Sequence, residues 1–302
     1  MKIVFVLLGP TAVGKTALSL RVAHHLGCPV ISADSRQIYK EMPIGTASPS
    51  KKIQAIIPHY FIATHSVTDY YSASLFEDEA LALINNLHLK YDHLLVCGGS
   101  MMYLDALCKG IDEMPTVTPE IRDTLWKQYE EGGYDALLEE LKKSDPVYYE
   151  KVDRSNYRRV IHALELCRMT GKTYSSYRTS VSKTRPFKIC RIGLARERTE
   201  LFERINNRVD EMIENGFIEE AYQLYPLRHL NALNTLGYKE LFAHFSNTLT
   251  LPEAIAKIKR NTRIYARKQI AWFKRDSEIN WFHPDNEDDV ICFIDRIKSD
   301  SE

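Results

Sequence analysis

The run Gly9-Pro-Thr-Ala-Val-Gly-Lys-Thr16, directly after the apolar stretch Ile3 to Leu8, constrains this chain more than any other segment. The spacing G-x-x-x-x-G-K-T brings glycine backbone close to an anion and turns several N–H groups inward. It also sets Lys15 against phosphate oxygens and offers the Thr16 hydroxyl to a magnesium ion. Gly9, Pro10, Thr11, Ala12, Val13, Gly14, Lys15 and Thr16 are therefore the expected phosphate-binding residues, with Thr16 the expected metal contact. Thr16 to Leu26 has helical spacing, and the partial positive charge at its start adds to the same site. The loop leaves open whether the phosphates belong to ATP, GTP or another diphosphate.

A buried strand before such a loop and a helix after it form the first unit of a layered α/β sheet. The next hundred residues continue the alternation: Val30 to Ala33 reads as a second strand ending in Asp34, Ala73 to Leu89 has helical spacing, and Leu94 to Cys97 reads as a strand ending in Gly98-Gly99. The pattern predicts a doubly wound parallel sheet with ligands beyond the carboxyl ends of its strands. Asp34, Gly98, Gly99 and the phosphate loop should then share one cleft. From about Thr116 the character changes to consecutive helices. One is opened by Thr118-Pro119 and closed by Gly132-Gly133, another opens at Asp145-Pro146, and a third covers about Ser155 to Thr170 and stops at Gly171. Residues 116–186 read as a helical insertion into a core made of 1–115 and 187–302. Lys188 to Leu194 returns as a strand, followed by helices over Arg198 to Asn215, Glu219 to Tyr225, and from about Pro252 behind the capping box Thr250-x-x-Glu253. A C-terminal tail should be short.

With 302 residues, 44% of them hydrophobic, the chain can bury a large core without staples. Its six cysteines form no C-x-x-C pair, so neither a disulfide framework nor a zinc finger is expected. No apolar span approaches 18 residues and no signal-peptide pattern opens the chain, so a soluble, cytoplasmic protein is expected. A monomer is expected because no spare apolar stripe stands out.

Forty basic and forty acidic residues cancel over the whole chain, yet the charge is local. Lys257 to Arg275 holds eight Lys or Arg and no acid; Ser176 to Ala195 holds five and no acid. On the helix of 155–170, Val160, Ala163, Leu164 and Cys167 share one face, while Arg158, Arg159 and His162 lie opposite with Glu165 the only acid among them. On the C-terminal helix, Ile258, Thr262, Tyr265, Gln269 and Trp272 make an inner stripe, and Arg260, Arg263, Arg267 and Lys274 line the outer one. Each face alone reads equally as an ordinary solvated surface; two in one chain favour contact with a phosphate backbone. Asp34 opens the run Asp34-Ser-Arg-Gln-Ile-Tyr39. Its carboxylate can serve the cleft, holding magnesium through water or taking a proton, or it can cap a helical turn. The strand before Gly98 lacks the acid usual in magnesium-dependent nucleotide hydrolases, which weakens that reading. Ser100 and Tyr103 read equally as cleft or packing residues. A small-molecule kinase and an RNA-binding module with a vestigial loop are the alternatives from other classes.

In their order along the chain these segments are similar to the tRNA dimethylallyltransferases, also called isopentenyltransferases. The resemblance rests on the intact phosphate loop, on Asp34, Ser35, Gln37 and Tyr39 with Ile44-Gly45-Thr46-Ala47, and on Tyr71-Ser72-Ala73. It continues through Arg158-Arg159-Val-Ile-x-Ala-Leu-Glu165 with Thr170-Gly171-Lys172, Arg208-Val-Asp-Glu-Met212 with Gly216, Leu236-Gly-Tyr-Lys-Glu240, and Thr262-Arg263-x-Tyr-Ala-x-x-Gln-x-x-Trp-Phe273. The resemblance implies a loop that holds dimethylallyl diphosphate with Mg2+, and an acceptor that is the exocyclic amine of the adenine 3′ of a tRNA anticodon. It implies catalytic roles for Asp34 as proton acceptor, Thr11 at the bridging region of the diphosphate, and Arg208 at the leaving charge. Contacts to the anticodon stem-loop would come from Asp34, Ser35, Arg36, Gln37, Ser100, Tyr103, Arg158, Arg159, His162, Arg263 and Arg267. Three positions depart from the family pattern: Gly98-Gly-Ser-Met-Met-Tyr103 replaces Gly-Gly-Thr-Gly-Leu-Tyr, Pro58-His-Tyr-Phe61 replaces Pro-His-His-Leu, and Ser48 stands where a lysine is common. The zinc-finger tail of eukaryotic relatives is absent, so a bacterial type is expected. A relative that prenylates free adenine nucleotides would need neither the insertion nor the basic C-terminal helix.

Overall fold

The computed structural model describes residues 1–179 and 182–300. Ser180 and Val181 of the expected polar stretch, and Ser301 and Glu302 of any tail, lie outside the described residues. Two compact units divide the chain: Met1–Cys108 with Thr184–Glu302, and Lys109–Lys183.

In the larger unit the elements are β1 (Ile3–Leu8), α1 (Lys15–Leu26), β2 (Val30–Ala33), α2 (Lys51–Ile56), β3 (His59–Tyr60), α3 (Ala73–Leu87), β4 (His93–Gly98) and α4 (Met101–Lys109). The second, smaller unit contributes α5 (Pro119–Glu130), α6 (Tyr134–Ser144), α7 (Pro146–Lys151), α8 (Tyr157–Thr170) and α9 (Tyr174–Tyr177). The chain then returns to the larger unit with β5 (Lys188–Leu194), α10 (Arg198–Glu214), α11 (Phe217–Leu224), α12 (Tyr238–Phe245), α13 (Leu251–Phe273), β6 (Asn280–Phe282) and α14 (Glu287–Ser299). All six strands run parallel in the order β3-β2-β4-β1-β5-β6. β1 lies between β4 and β5, which is why every residue from Ile3 to Leu8 is apolar and buried. β3 and β6, not anticipated, are the edge strands; with two and three residues they are too short to show a hydrophobic pattern.

The order brings the carboxyl ends of β2, β4 and β1 side by side. Gly98 is the register partner of both Ala33 and Leu8, and a Cβ on it would stand 2.2 Å from the Ala33 carbonyl oxygen. Only a residue without a side chain fits where these strands end.

Of the expected helix openings in the smaller unit, Asp145 makes a side-chain cap, Thr118 makes none, and the third helix begins at Tyr157 behind Asn156 rather than at Ser155. Asp145 accepts from the Tyr148 N–H at 3.0 Å and from both the N–H and the hydroxyl of Ser175. Asn156 caps α8, and Gly171 ends it in the left-handed conformation. The unit has its own apolar core, including Leu125, Leu137, Leu141, Val160, Leu164 and Cys167, and no strand among its described residues. Among the described residues no helix is long and apolar enough to cross a membrane.

Gly98→Ala is expected to lower the unfolding free energy by about 1–3 kcal/mol, the range for forcing extra volume into a packed interior. Urea unfolding measures it, and an unchanged midpoint would mean that β2 and β4 separate at no cost.

Candidate functional site: an anion-binding cleft

The loops after β1, β2 and β4, together with faces of α10 and α13, enclose a cleft of about 750 Å³ in the larger unit. Thr11, Lys15, Thr16, Asp34, Ser100 and Arg208 all line it. The sharing of one cleft by the phosphate loop, Asp34 and the Gly98-Gly99 turn, expected from strand ends, is present.

The loop carbonyls are satisfied by the loop's own lysine and by two arginines from elsewhere in the chain. Lys15 Nζ donates to the Gly9 and Pro10 carbonyls at 3.0 and 2.8 Å. Arg204 donates to the Ala12 carbonyl at 3.0 Å, and Arg196 to that of Val13 at 2.8 Å. With the carbonyls drawn outward and Ala12 held at φ 63°, the amides that open α1 have no intrahelical partner and face the cleft. Burial pushes the Lys15 ammonium down to about 8; the like charge of Arg208 adds to this, and Cys97 and Asp34 oppose it. Burial also lowers Arg208, against the charges of Asp34 and Glu211. Arg208 reaches Thr11 Oγ1 at 3.3 Å and the Thr46 carbonyl at 3.2 Å, so the three residues form one connected patch.

Asp34 caps its turn and lines the cleft. One carboxylate oxygen, Oδ1, accepts from the N–H groups of Arg36 and Gln37 at 2.9 and 3.3 Å, which caps the turn. That bond fixes the side chain as part of the cleft wall. Ser100 is buried; its Oγ accepts from the Ser35 N–H at 2.8 Å and donates to Ser35 Oγ, tying the two loops together. Gln37 lines the cleft, but its amide donates to the Thr46 and Ala47 carbonyls. Tyr103 is buried and stacks on Phe76 with ring centroids 4.3 Å apart, outside the cleft lining: of its two alternatives, packing is the one realised.

Two further placements correct the expected basic faces. Arg263 is half-buried and donates to Asn206 of α10 at 2.6 Å, leaving Arg260, Arg267 and Lys274 as the exposed members of its row. In the smaller unit Glu165 is buried rather than part of an outer face. His162 and Arg122 bond its two oxygens at 3.1 and 3.2 Å and hold it below the usual carboxylate range against the effect of burial. Arg158 and Arg159 remain exposed.

Sequence reasoning assigned no role to three residues that build the site. Glu220 accepts from the Ile44 and Gly45 N–H groups at 2.7 and 2.8 Å and from the Tyr238 hydroxyl at 2.6 Å, so it holds the loop that meets Arg208. Arg204 was one of many surface cations in the sequence. Gln269 stands on the inner stripe and within a motif of the resemblance but carries no expected role there, although an amide on a buried helix face must find partners, and that is the available signal.

Parallel strands, with the Gly9–Thr16 loop after β1 and Asp34 after its second neighbour β2, define an α/β protein whose cleft sets a carboxylate beside the buried cations Lys15 and Arg208. The model of the family described as IPP transferase matches residues 37–276. A curated tRNA dimethylallyltransferase 2 of Parabacteroides distasonis is 57% identical over 98% of this chain and 99% of its own length. The solved full-length tRNA isopentenylpyrophosphate transferase of Bacillus halodurans matches with TM-score 0.72 and 33% identity, covering 97% of this chain and 96% of its own. A eukaryotic dimethylallyltransferase solved acting on tRNA matches with TM-score 0.79 and 29% identity, over 94% of this chain and 74% of its own. The chain belongs to the IPP transferase family.

Diphosphate binding must raise the Lys15 pKa, since an anion favours the ammonium. Affinity for inorganic diphosphate should therefore be highest below pH 8 and fall as pH rises through about 8. Diphosphate titrates too, so the lysine is isolated by comparison with Lys15→Met using calorimetry. The advantage of the unaltered protein should narrow through that interval, and a constant advantage to pH 9.5 would contradict a lysine titrating there.

Proposed function

We propose that this enzyme transfers the dimethylallyl group of dimethylallyl diphosphate to the exocyclic N6 amine of the adenine 3′ of a tRNA anticodon, releasing diphosphate. One observation carries the reading: the cleft wall that holds Thr11, Lys15 and Arg208 also holds Asp34, so an anionic leaving group and a proton acceptor face the same space. The names of the relatives support the same reaction.

The amine nitrogen attacks the allylic carbon while the carbon–oxygen bond breaks, and that electron pair leaves with the diphosphate. The loop amides, Lys15 and Arg208 bind the growing negative charge, and Thr11 contacts the bridging region. Asp34 takes the proton that the amine loses, its carboxylate oriented by the Arg36 and Gln37 amides. The Thr16 hydroxyl, exposed on the cleft wall at the start of α1, fits a magnesium ion, which when bound neutralises part of the diphosphate charge. The target base leaves its stack to enter the cleft, at a cost of roughly a few kcal/mol that backbone contacts offset. The exposed cations Arg260 and Arg267 of α13, and Arg158 and Arg159 of α8, would supply such contacts.

The test offers purified protein, magnesium and labelled dimethylallyl diphosphate to unmodified tRNA in one reaction and to AMP or ATP in another. Label on tRNA alone is expected; label on the mononucleotide, or on neither, would overturn the reading. Asp34→Ala should lower turnover by about 10²–10⁴-fold with little change in tRNA affinity; lost affinity with an unchanged rate would remove its role as base. Reversing the charge of Arg260 and Arg267 together should raise the tRNA KM and flatten its salt dependence while dimethylallyl diphosphate affinity stays constant. Equal loss for both substrates would make that face structural.

A further inference from the structure

Gln269 projects from the inner stripe of α13 and is 2% exposed. Its Oε1 accepts from the Thr11 N–H at 2.9 Å, and its Nε2 donates to the Gly99 carbonyl at 2.7 Å. The two bonds fix the amide's orientation, because a carbonyl accepts only from the NH2 end and an N–H donates only to the oxygen. Gly99 is shaped for this contact: a Cβ there would lie 2.7 Å from Nε2. Thr11 is thus gripped from two sides, its backbone by Gln269 and its hydroxyl by Arg208 at 3.3 Å. The Thr11 amide, which would otherwise rotate with the chain, is tied instead to a 23-residue helix, itself anchored by the Trp272 indole on Asp105 at 2.8 Å.

We infer that Gln269 is a positioning residue for the transfer reaction: it acts through Thr11, setting the place of that hydroxyl. The inference rests on the prenyl-transfer reading and adds to it a residue that touches neither reacting atom. Losing the amide leaves two buried backbone groups unpaired and frees Thr11 to swing, and small misplacement of a substrate-contacting group costs up to about 10²-fold in rate.

The test is a double-mutant cycle in the full-length protein, read by single-turnover transfer from labelled dimethylallyl diphosphate to tRNA. Gln269→Leu should lower the rate about 10- to 100-fold with the tRNA KM within about twofold. In a Thr11→Ala background the same change should cost less than about twofold, since the group it positions is gone. Independent, multiplying losses would overturn the inference, as would a fall in rate matched by an equal rise in the tRNA KM. Should Gln269→Leu not fold by thermal unfolding, Gln269→Asn, one methylene too short to span both partners, runs through the same cycle with the same criteria. The unaltered protein in the same assay keeps the two questions apart: its failure to prenylate tRNA removes the parent reading, whereas its activity beside additive variants removes only the role of Gln269.

Discussion

A loop that points its amides at an anion must turn its carbonyls away from it, and each carbonyl turned outward needs a donor. Much of the architecture around this cleft supplies those donors. Arg196, just after β5, and Arg204, on α10, bond the Val13 and Ala12 carbonyls. Lys15 bonds those of Gly9 and Pro10. Two segments distant in sequence are therefore fixed to one eight-residue run, and the same α10 that carries Arg204 presents Arg208 one turn later to Thr11. Because the loop follows a strand buried between two neighbours, it cannot shift to relieve a missing donor, and the cost falls on the loop itself.

Lys15 shows what this arrangement does to charge. Its ammonium bonds two carbonyls of its own loop beside a second cation, and burial brings its pKa to about 8. A diphosphate entering the cleft meets two partly desolvated cations with fixed neighbours. The charge that develops on a leaving group in such a place is stabilised more strongly than in water, since little reorganisation is needed when it forms. Asp34 is the opposite case: two backbone amides, those of Arg36 and Gln37, bond one of its carboxylate oxygens and hold the side chain in a single orientation.

The Gly9–Thr16 loop, the strands that end before Asp34 and at Gly98, and the helices between Pro119 and Gly171 were legible because each is a local pattern with a local cause: apolar runs, glycine spacing, and caps such as Asp145 and Gly171. The edge strands were not, because pairing and not composition makes His59–Tyr60 and Asn280–Phe282 strands. Helical angle placed Arg263 and Glu165 on outer faces, but angle gives a direction and not a neighbour. Asn206 on α10 turns Arg263 inward, and Arg122 on α5 makes a buried position suitable for Glu165. Glu220 and Gln269 lie beyond sequence reading for the same reason: their partners are 176 and 258 residues away.

The Gly98-Gly99 pair, where nucleotide hydrolases of this architecture carry an acid, has a steric cause that bears on chemistry. A Cβ at position 98 would meet the Ala33 carbonyl at 2.2 Å, and one at position 99 would displace Gln269. No carboxylate can stand at the end of β4 without dismantling the contact between β2 and β4 or the bridge from α13 to the loop. The strand-end carboxylate that the cleft does hold is Asp34, directly after the neighbouring strand β2 and capped in place in the turn there; a second, Glu211, comes from α10. A carboxylate at the end of β4 would serve the metal and the terminal phosphate of a nucleotide; in the proposed reaction the one after β2 serves the acceptor amine. The geometry thus suits a reaction in which the diphosphate leaves whole and the proton comes from the group that replaces it.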